Sequence, residues 1–198
     1  MKNYIWDFDG MLFDSYPHIA AAFSAAMRDC GENIEASAAQ PIFEISFKNA
    51  FALYGVTDEQ KRIFREYEHD YSFEPRAVPF PNTIGVITEI CRRGGRNFLY
   101  THRGSSVYHY LEEYGLIRYF TDFVTAENRF PSKPAPDAVE YLVSRHGLDK
   151  AETIMIGDRE IDVLSGVNAG VRSCLFSKKK KKTAADYTVT DIIQVLDI

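Results

Sequence analysis

From Thr83 to the end of the chain, short apolar runs alternate with helical stretches, a rhythm that few folds accommodate. The runs are Asn97-Phe98-Leu99-Tyr100, Asp122-Phe123-Val124, Thr153-Ile154-Met155-Ile156 and residues 171–176. Between them, residues 83–93, 105–114, 137–146 and 160–169 have helical spacing, each closed by a glycine (Gly94, Gly115, Gly147, Gly170). A last short helix is expected over 191–196. Strands separated by helices imply a parallel sheet covered on both faces, so the expected class is a doubly wound, Rossmann-like α/β fold.

One further strand, Tyr4-Ile5-Trp6, stands alone at the start and must join that sheet. Between it and the α/β region, apolar residues recur at helical spacing: Ile19, Phe23, Met27 and Cys30, then Phe43, Phe47, Phe51 and Tyr54, then Phe64, Tyr67 and Tyr71. Residues 16–77 therefore read as an inserted all-helical domain, and 1–15 with 78–198 as the α/β core. The proline-rich stretch Arg76-Ala77-Val78-Pro79-Phe80-Pro81-Asn82 reads as an extended return linker.

The first strand ends in Asp7-Phe8-Asp9-Gly10. Residues i and i+2 of an extended segment share a face, so both carboxylates can turn toward one point beyond the strand. Two acids this close repel, and an apolar strand end makes charging them costlier. A divalent cation relieves both, and an all-oxygen set suits Mg2+.

In open α/β sheets ligands sit beyond the carboxyl ends of the strands, so the other strand ends matter next. Thr101-His102-Arg103-Gly104 follows one, with a hydroxyl able to hold a phosphate oxygen and His102 expected at the rim. Ser132-Lys133-Pro134-Ala135-Pro136 follows another, a stiff loop presenting one cation that can offset a carboxylate and a phosphoryl group. Gly157-Asp158-Arg159-Glu160-Ile161-Asp162 follows a third, with Asp158 and Asp162 on one face if a helix begins there.

Asp7-Phe8-Asp9-Gly10-Met11-Leu12-Phe13-Asp14-Ser15 resembles the first motif of the haloacid dehalogenase-like hydrolases, Asp-x-Asp-Gly-Thr-Leu-x-Asp-Ser. Thr101, Lys133, and Asp158 with Asp162 are similar to the other three motifs in order and spacing. The inserted helices resemble the cap of the subgroup containing phosphoglycolate phosphatase-like enzymes and β-phosphoglucomutase. The resemblance implies a Mg2+-dependent phosphatase that hydrolyses a small phosphomonoester through an aspartyl-phosphate. It implies Asp7 as nucleophile, Asp9 as acid/base, and Lys133 as the neutralising cation. Thr101, His102 and Lys133 would bind phosphate, and Asp7, Asp9, Asp158 and Asp162 would form the metal site.

Two alternatives stay in view. Phosphosugar mutases of the subgroup carry a Gly-x-Ser-Arg segment in the cap, whereas Glu44-Ile45-Ser46-Phe47-Lys48 here lacks the arginine; Ser46 and Lys48 remain candidate substrate contacts. A weakly catalytic binding module of the same fold draws support from Met11, whose thioether cannot donate the hydrogen bond of the family's threonine near Asp9.

The net charge of -5 argues against a general nucleic-acid surface, and no 18-residue apolar run suggests a membrane span. Met1 leads directly into the first strand, so no signal peptide is expected. Cys30, Cys91 and Cys174 are too scattered for a disulfide framework or a metal site. A cytoplasmic protein is expected, a monomer or weak homodimer whose partner is a small phosphorylated metabolite. The lysines at 178–182 read as a solvated run.

Overall fold

A computed structural model describes residues 1–178 and 182–198 and divides the chain into two compact units. One comprises Met1–Phe13 with Pro79–Ile198, the other Asp14–Val78. In chain order the elements are β1 (Asn3–Trp6), β2 (Phe13–Asp14), α1 (Tyr16–Asp29), α2 (Ala36–Phe43), α3 (Phe47–Leu53) and α4 (Asp58–His69). There follow β3 (Val78–Pro79), α5 (Thr83–Arg92), β4 (Arg96–Tyr100), α6 (Ser106–Glu113), β5 (Phe120–Val124) and α7 (Asp137–His146). The chain ends with β6 (Thr153–Gly157), α8 (Glu160–Ala169), β7 (Arg172–Phe176), β8 (Tyr187–Val189) and a 3-10 turn over Ile192–Asp197.

The first unit is built on a six-stranded sheet in the order β5-β4-β1-β6-β7-β8, with every neighbouring pair parallel. β1 lies between β4 and β6, and all four of its residues are buried, as a central parallel strand requires. Alternate residues serve opposite faces. Ile5 joins Phe98, Tyr100, Met155 and the α7 residues Ala138, Val139 and Leu142 in one core cluster. Trp6, on the other face, donates its indole N–H to Asn97 Oδ1 at 2.9 Å, and Asn97 Nδ2 donates to the Ile87 carbonyl of α5 at 3.1 Å. Asn97 thus ties β1, β4 and α5 together through direct hydrogen bonds. Replacing Asn97 by leucine is expected to destabilise this unit by about 1–3 kcal/mol, because the buried indole N–H loses its acceptor. Chemical denaturation of the variant measures it.

After β5, at one edge of the sheet, the chain crosses back to β6 on the other side of β1, so the strand order reverses beside β1. The carboxyl ends of β1, β4 and β6 meet at that switch point, where α/β sheets form their crevice.

The second unit is four helices around an aromatic core. Phe23 of α1 lies 5.0 Å from Phe43, 5.4 Å from Tyr54 and 5.9 Å from Phe64, ring centre to ring centre. The aromatic stripes are therefore packing residues. His18 is wholly buried, with its two ring nitrogens each 3.0 Å from a carbonyl, those of Pro75 and Glu68, binding the segment after α4 back to α1.

Several elements differ from the sequence expectation. The Phe43–Tyr54 stripe is two helices, because Ser46 takes extended backbone and its hydroxyl accepts from Asn49 N–H, starting α3 afresh. The expected final helix is a 3-10 turn capped by Asp191. The linker holds β3, and Tyr187–Val189 adds an edge strand to the sheet. Three lysines of the 178–182 run, residues 179–181, lie outside the described residues. Among the described residues no helix is long and apolar enough to cross a membrane.

Candidate active site

The backbone sets the site first. Asp7 follows β1 directly, and its N–H donates to the Ile156 carbonyl of β6 at 2.9 Å, which extends the sheet by one residue. Gly10 then takes the left-handed conformation, with φ of 73°, and turns the chain away after Asp9. At the end of β6, a Cβ on Gly157 would lie 2.3 Å from Asp162 Cβ. Only glycine lets the Asp162 side chain fold back against the strand end.

Asp162 is not paired with Asp158 along a helix face. The helix begins at Glu160, so Asp158 precedes it, and Asp162 sits in its first turn with Oδ2 accepting the Arg159 N–H at 3.0 Å. What joins the two carboxylates is Asp7: one oxygen from each of Asp7, Asp158 and Asp162 lies within 4.8 Å of the others.

Lys133 enters this cluster from the α7 side with a fully buried ammonium. Nζ lies 2.6 Å from Asp7 Oδ1, 2.8 Å from Asp162 Oδ1 and 2.9 Å from the Tyr100 carbonyl. Nζ also lies 4.4 Å from the centre of the Tyr100 ring.

Burial pushes the Asp7 carboxyl up to about 6, against the pull of Lys133 and with the added repulsion of Asp162. For Lys133, burial acts to lower the pKa, but Asp162 and Asp7 outweigh it and hold the ammonium above the usual lysine range. The two directions are compatible. The lysine stays charged, yet the pocket contains more carboxylate than one lysine neutralises.

A divalent cation fits that surplus. Asp7 Oδ2 is buried and accepts no hydrogen bond from any described residue, beside two further carboxylates of the hard-oxygen type.

Thr101 is buried, and its hydroxyl accepts the Arg103 N–H at 3.0 Å, so it braces its own turn. The helix α6 begins at Ser106, as the spacing over 105–114 predicts, five residues after the threonine. His102 Nε2 accepts the Lys133 N–H at 3.2 Å. An accepting nitrogen carries no proton, so the ring is neutral. The chemistry agrees: burial of its inner face, helped by the Lys133 and Arg159 charges, pushes the imidazole down to about 4 although its outer edge is open to solvent. His102 thus holds the Lys133 loop. Ser46 and Lys48 belong to the helical unit, where Ser46 caps α3 and Lys48 is exposed.

Two cations were not anticipated from the sequence. Arg159 contributes positive potential at Asp7, with Nε 3.9 Å from Asp158 Oδ1. Arg103 is buried and holds Asp9 Oδ1 through Nη2 at 2.8 Å and Nε at 3.2 Å.

Residues 4–176 match the family described as haloacid dehalogenase-like hydrolase. The chain is 27% identical to a phosphoglycolate phosphatase of Vibrio parahaemolyticus, covering 87% of this chain and 82% of that one. It is 24% identical to the pyrophosphatase PpaX of Oceanobacillus iheyensis, covering 100% of this chain and 96% of the relative. Among solved structures, a hydrolase from Streptococcus pneumoniae superimposes with a TM-score of 0.67 at 28% identity, over 100% of both chains.

Proposed function

Since the chain belongs to the haloacid dehalogenase-like hydrolases and is a phosphatase of that family, we propose that it hydrolyses a small phosphomonoester with Mg2+ through a phosphorylated Asp7. The observation that carries this reading is the buried cluster itself. A buried carboxylate at the mouth of the crevice is oriented by Lys133 through Oδ1, while Oδ2 accepts no hydrogen bond among the described residues.

The chain's own groups divide the work. Asp7 attacks the phosphorus and forms the Asp7–phosphorus bond as the ester bond breaks. Asp9 gives a proton to the leaving oxygen and later takes one from the water that cleaves the aspartyl-phosphate. Lys133, hydrogen-bonded to Asp7 and the Tyr100 carbonyl and ion-paired with Asp162, contributes fixed charge and fixes the angle of the Asp7 carboxylate. Thr101 and the loop amides around it would meet the phosphoryl oxygens, and His102 holds the Lys133 loop through its backbone N–H. Asp7, Asp158 and the backbone carbonyl of Asp9 would hold the Mg2+, with Asp162 beside it. When bound, the cation supplies the positive charge that lets an anionic nucleophile approach an anionic phosphate.

The test is phosphate release from a panel of phosphomonoesters that includes phosphoglycolate, with the anhydride pyrophosphate run beside them, because two relatives are named for those substrates. Turnover of at least one ester is expected, and removal of Mg2+ by EDTA is expected to stop it. A second readout needs no substrate. Mg2+ at 100 times its Kd is expected to stabilise the fold by about 2.7 kcal/mol, seen as a raised thermal midpoint. Failure of every ester together with no stabilisation by Mg2+ would refute the proposal.

A further inference from the structure

Arg103 is a buried cation that the proposed chemistry does not use. Its residue exposure is 2% and its side chain is fully enclosed. The backbone on both sides is fixed: its N–H donates to Thr101 Oγ1 and its carbonyl accepts the Ala126 N–H, each at 3.0 Å. The guanidinium is held by aromatic faces, 5.5 Å from the Phe8 ring centre and 5.8 Å from that of Tyr110. Phe8 and Tyr110 also contact one another, with ring centres 5.8 Å apart. A guanidinium clamped in this way has little freedom to relocate, and it presents two N–H groups to Asp9 Oδ1. Met11, two residues beyond Asp9, is fully buried and has no hydrogen to give.

We infer that Arg103 is the positioning residue for Asp9. It holds that carboxylate in one place beside Asp7 through a rigid fork, from a neighbouring strand end rather than from within the first loop. This rests on the reading of Asp9 as the group that handles the leaving-oxygen proton.

The inference predicts a loss that depends on the leaving group. On a primary alkyl phosphate, Arg103→Met is expected to lower kcat about 100-fold with KM changed less than about threefold, the size of a misplaced acid/base. On p-nitrophenyl phosphate, whose leaving oxygen needs little protonation, the fall is expected to be about tenfold or less. Arg103→Lys keeps the charge without the fork and is expected to recover part of the alkyl-ester rate. Equal losses on the two esters would assign Arg103 a packing role and overturn the inference. Crystals of both variants provide a readout without turnover. The Asp9 carboxylate is expected to leave its wild-type position in Arg103→Met, and a carboxylate found within about 0.5 Å of it would also overturn the inference. A wild-type protein inert toward both esters would count against the phosphatase reading, while the Asp9 position in the variant crystals would still decide the role of Arg103.

Discussion

Asp7→Asn is expected to lower turnover by about 10⁴-fold or more, because an amide cannot form the acyl-phosphate bond. The fold should not suffer. Asparagine retains an oxygen where Lys133 Nζ now donates at 2.6 Å, and the substitution removes one charge from a pocket whose burial already pushes Asp7 up to about 6. Without Mg2+, the variant is expected to melt at the wild-type temperature or above it at neutral pH. Adding Mg2+ should then raise its midpoint less than it raises that of the wild type, because a ligand carboxylate is gone. Phosphate release and thermal melts, each with and without Mg2+, read all of this. Activity above about one part in a hundred of the wild type would exclude Asp7 as the nucleophile.

Lys133→Met should have the largest effect on stability. It leaves Asp7 and Asp162 buried, close and without the ammonium that bonds both. Removing one partner of a buried ion pair costs about 3–5 kcal/mol. Asp7 has a folded pKa of about 6, above the unfolded carboxyl value of about 3.9. A carboxyl with a raised folded pKa weakens the fold in its charged form, so the penalty is full above pH 6 and is relieved as pH falls from there toward the unfolded value. Without Lys133 that window moves to higher pH. Denaturation of the variant is therefore expected to show its largest deficit near pH 8, a smaller one near pH 5, and partial rescue by Mg2+ at the higher pH. A deficit that does not change with pH or Mg2+ would show that the lysine stem, not its charge, supports the fold.

The strand-end acids and Lys133 were legible because periodicity places strand ends, and a parallel sheet brings strand ends together. The order of the strands then decides which loops meet. The partnership of Arg103 with Asp9 was not legible. It depends on β1 and β4 being neighbours and on Phe8 and Tyr110 flanking the guanidinium, and a single arginine between Thr101 and Gly104 carries no pattern that reveals either. Asp158 and Asp162 do come together beside Asp7, but not along the one helix face their spacing suggested, since Asp158 precedes the helix. The restart at Ser46 was hidden for a similar reason. The aromatic spacing continues unbroken through a change of backbone, and only a local cap marks the join.

The central placement of β1 has a consequence for how the protein is made. Asn3, on that strand, bonds to Arg96 and Thr153, partners 93 and 150 residues further along the chain. During synthesis the four helices of Asp14–Val78 can close on their own contiguous sequence. The strand that emerged before them must wait for β6. Slow closure is the rule for topologies that rest on distant pairings. Refolding is therefore expected to be limited by the pairing of β1 with β4 and β6 rather than by the helices, which stopped-flow refolding measures.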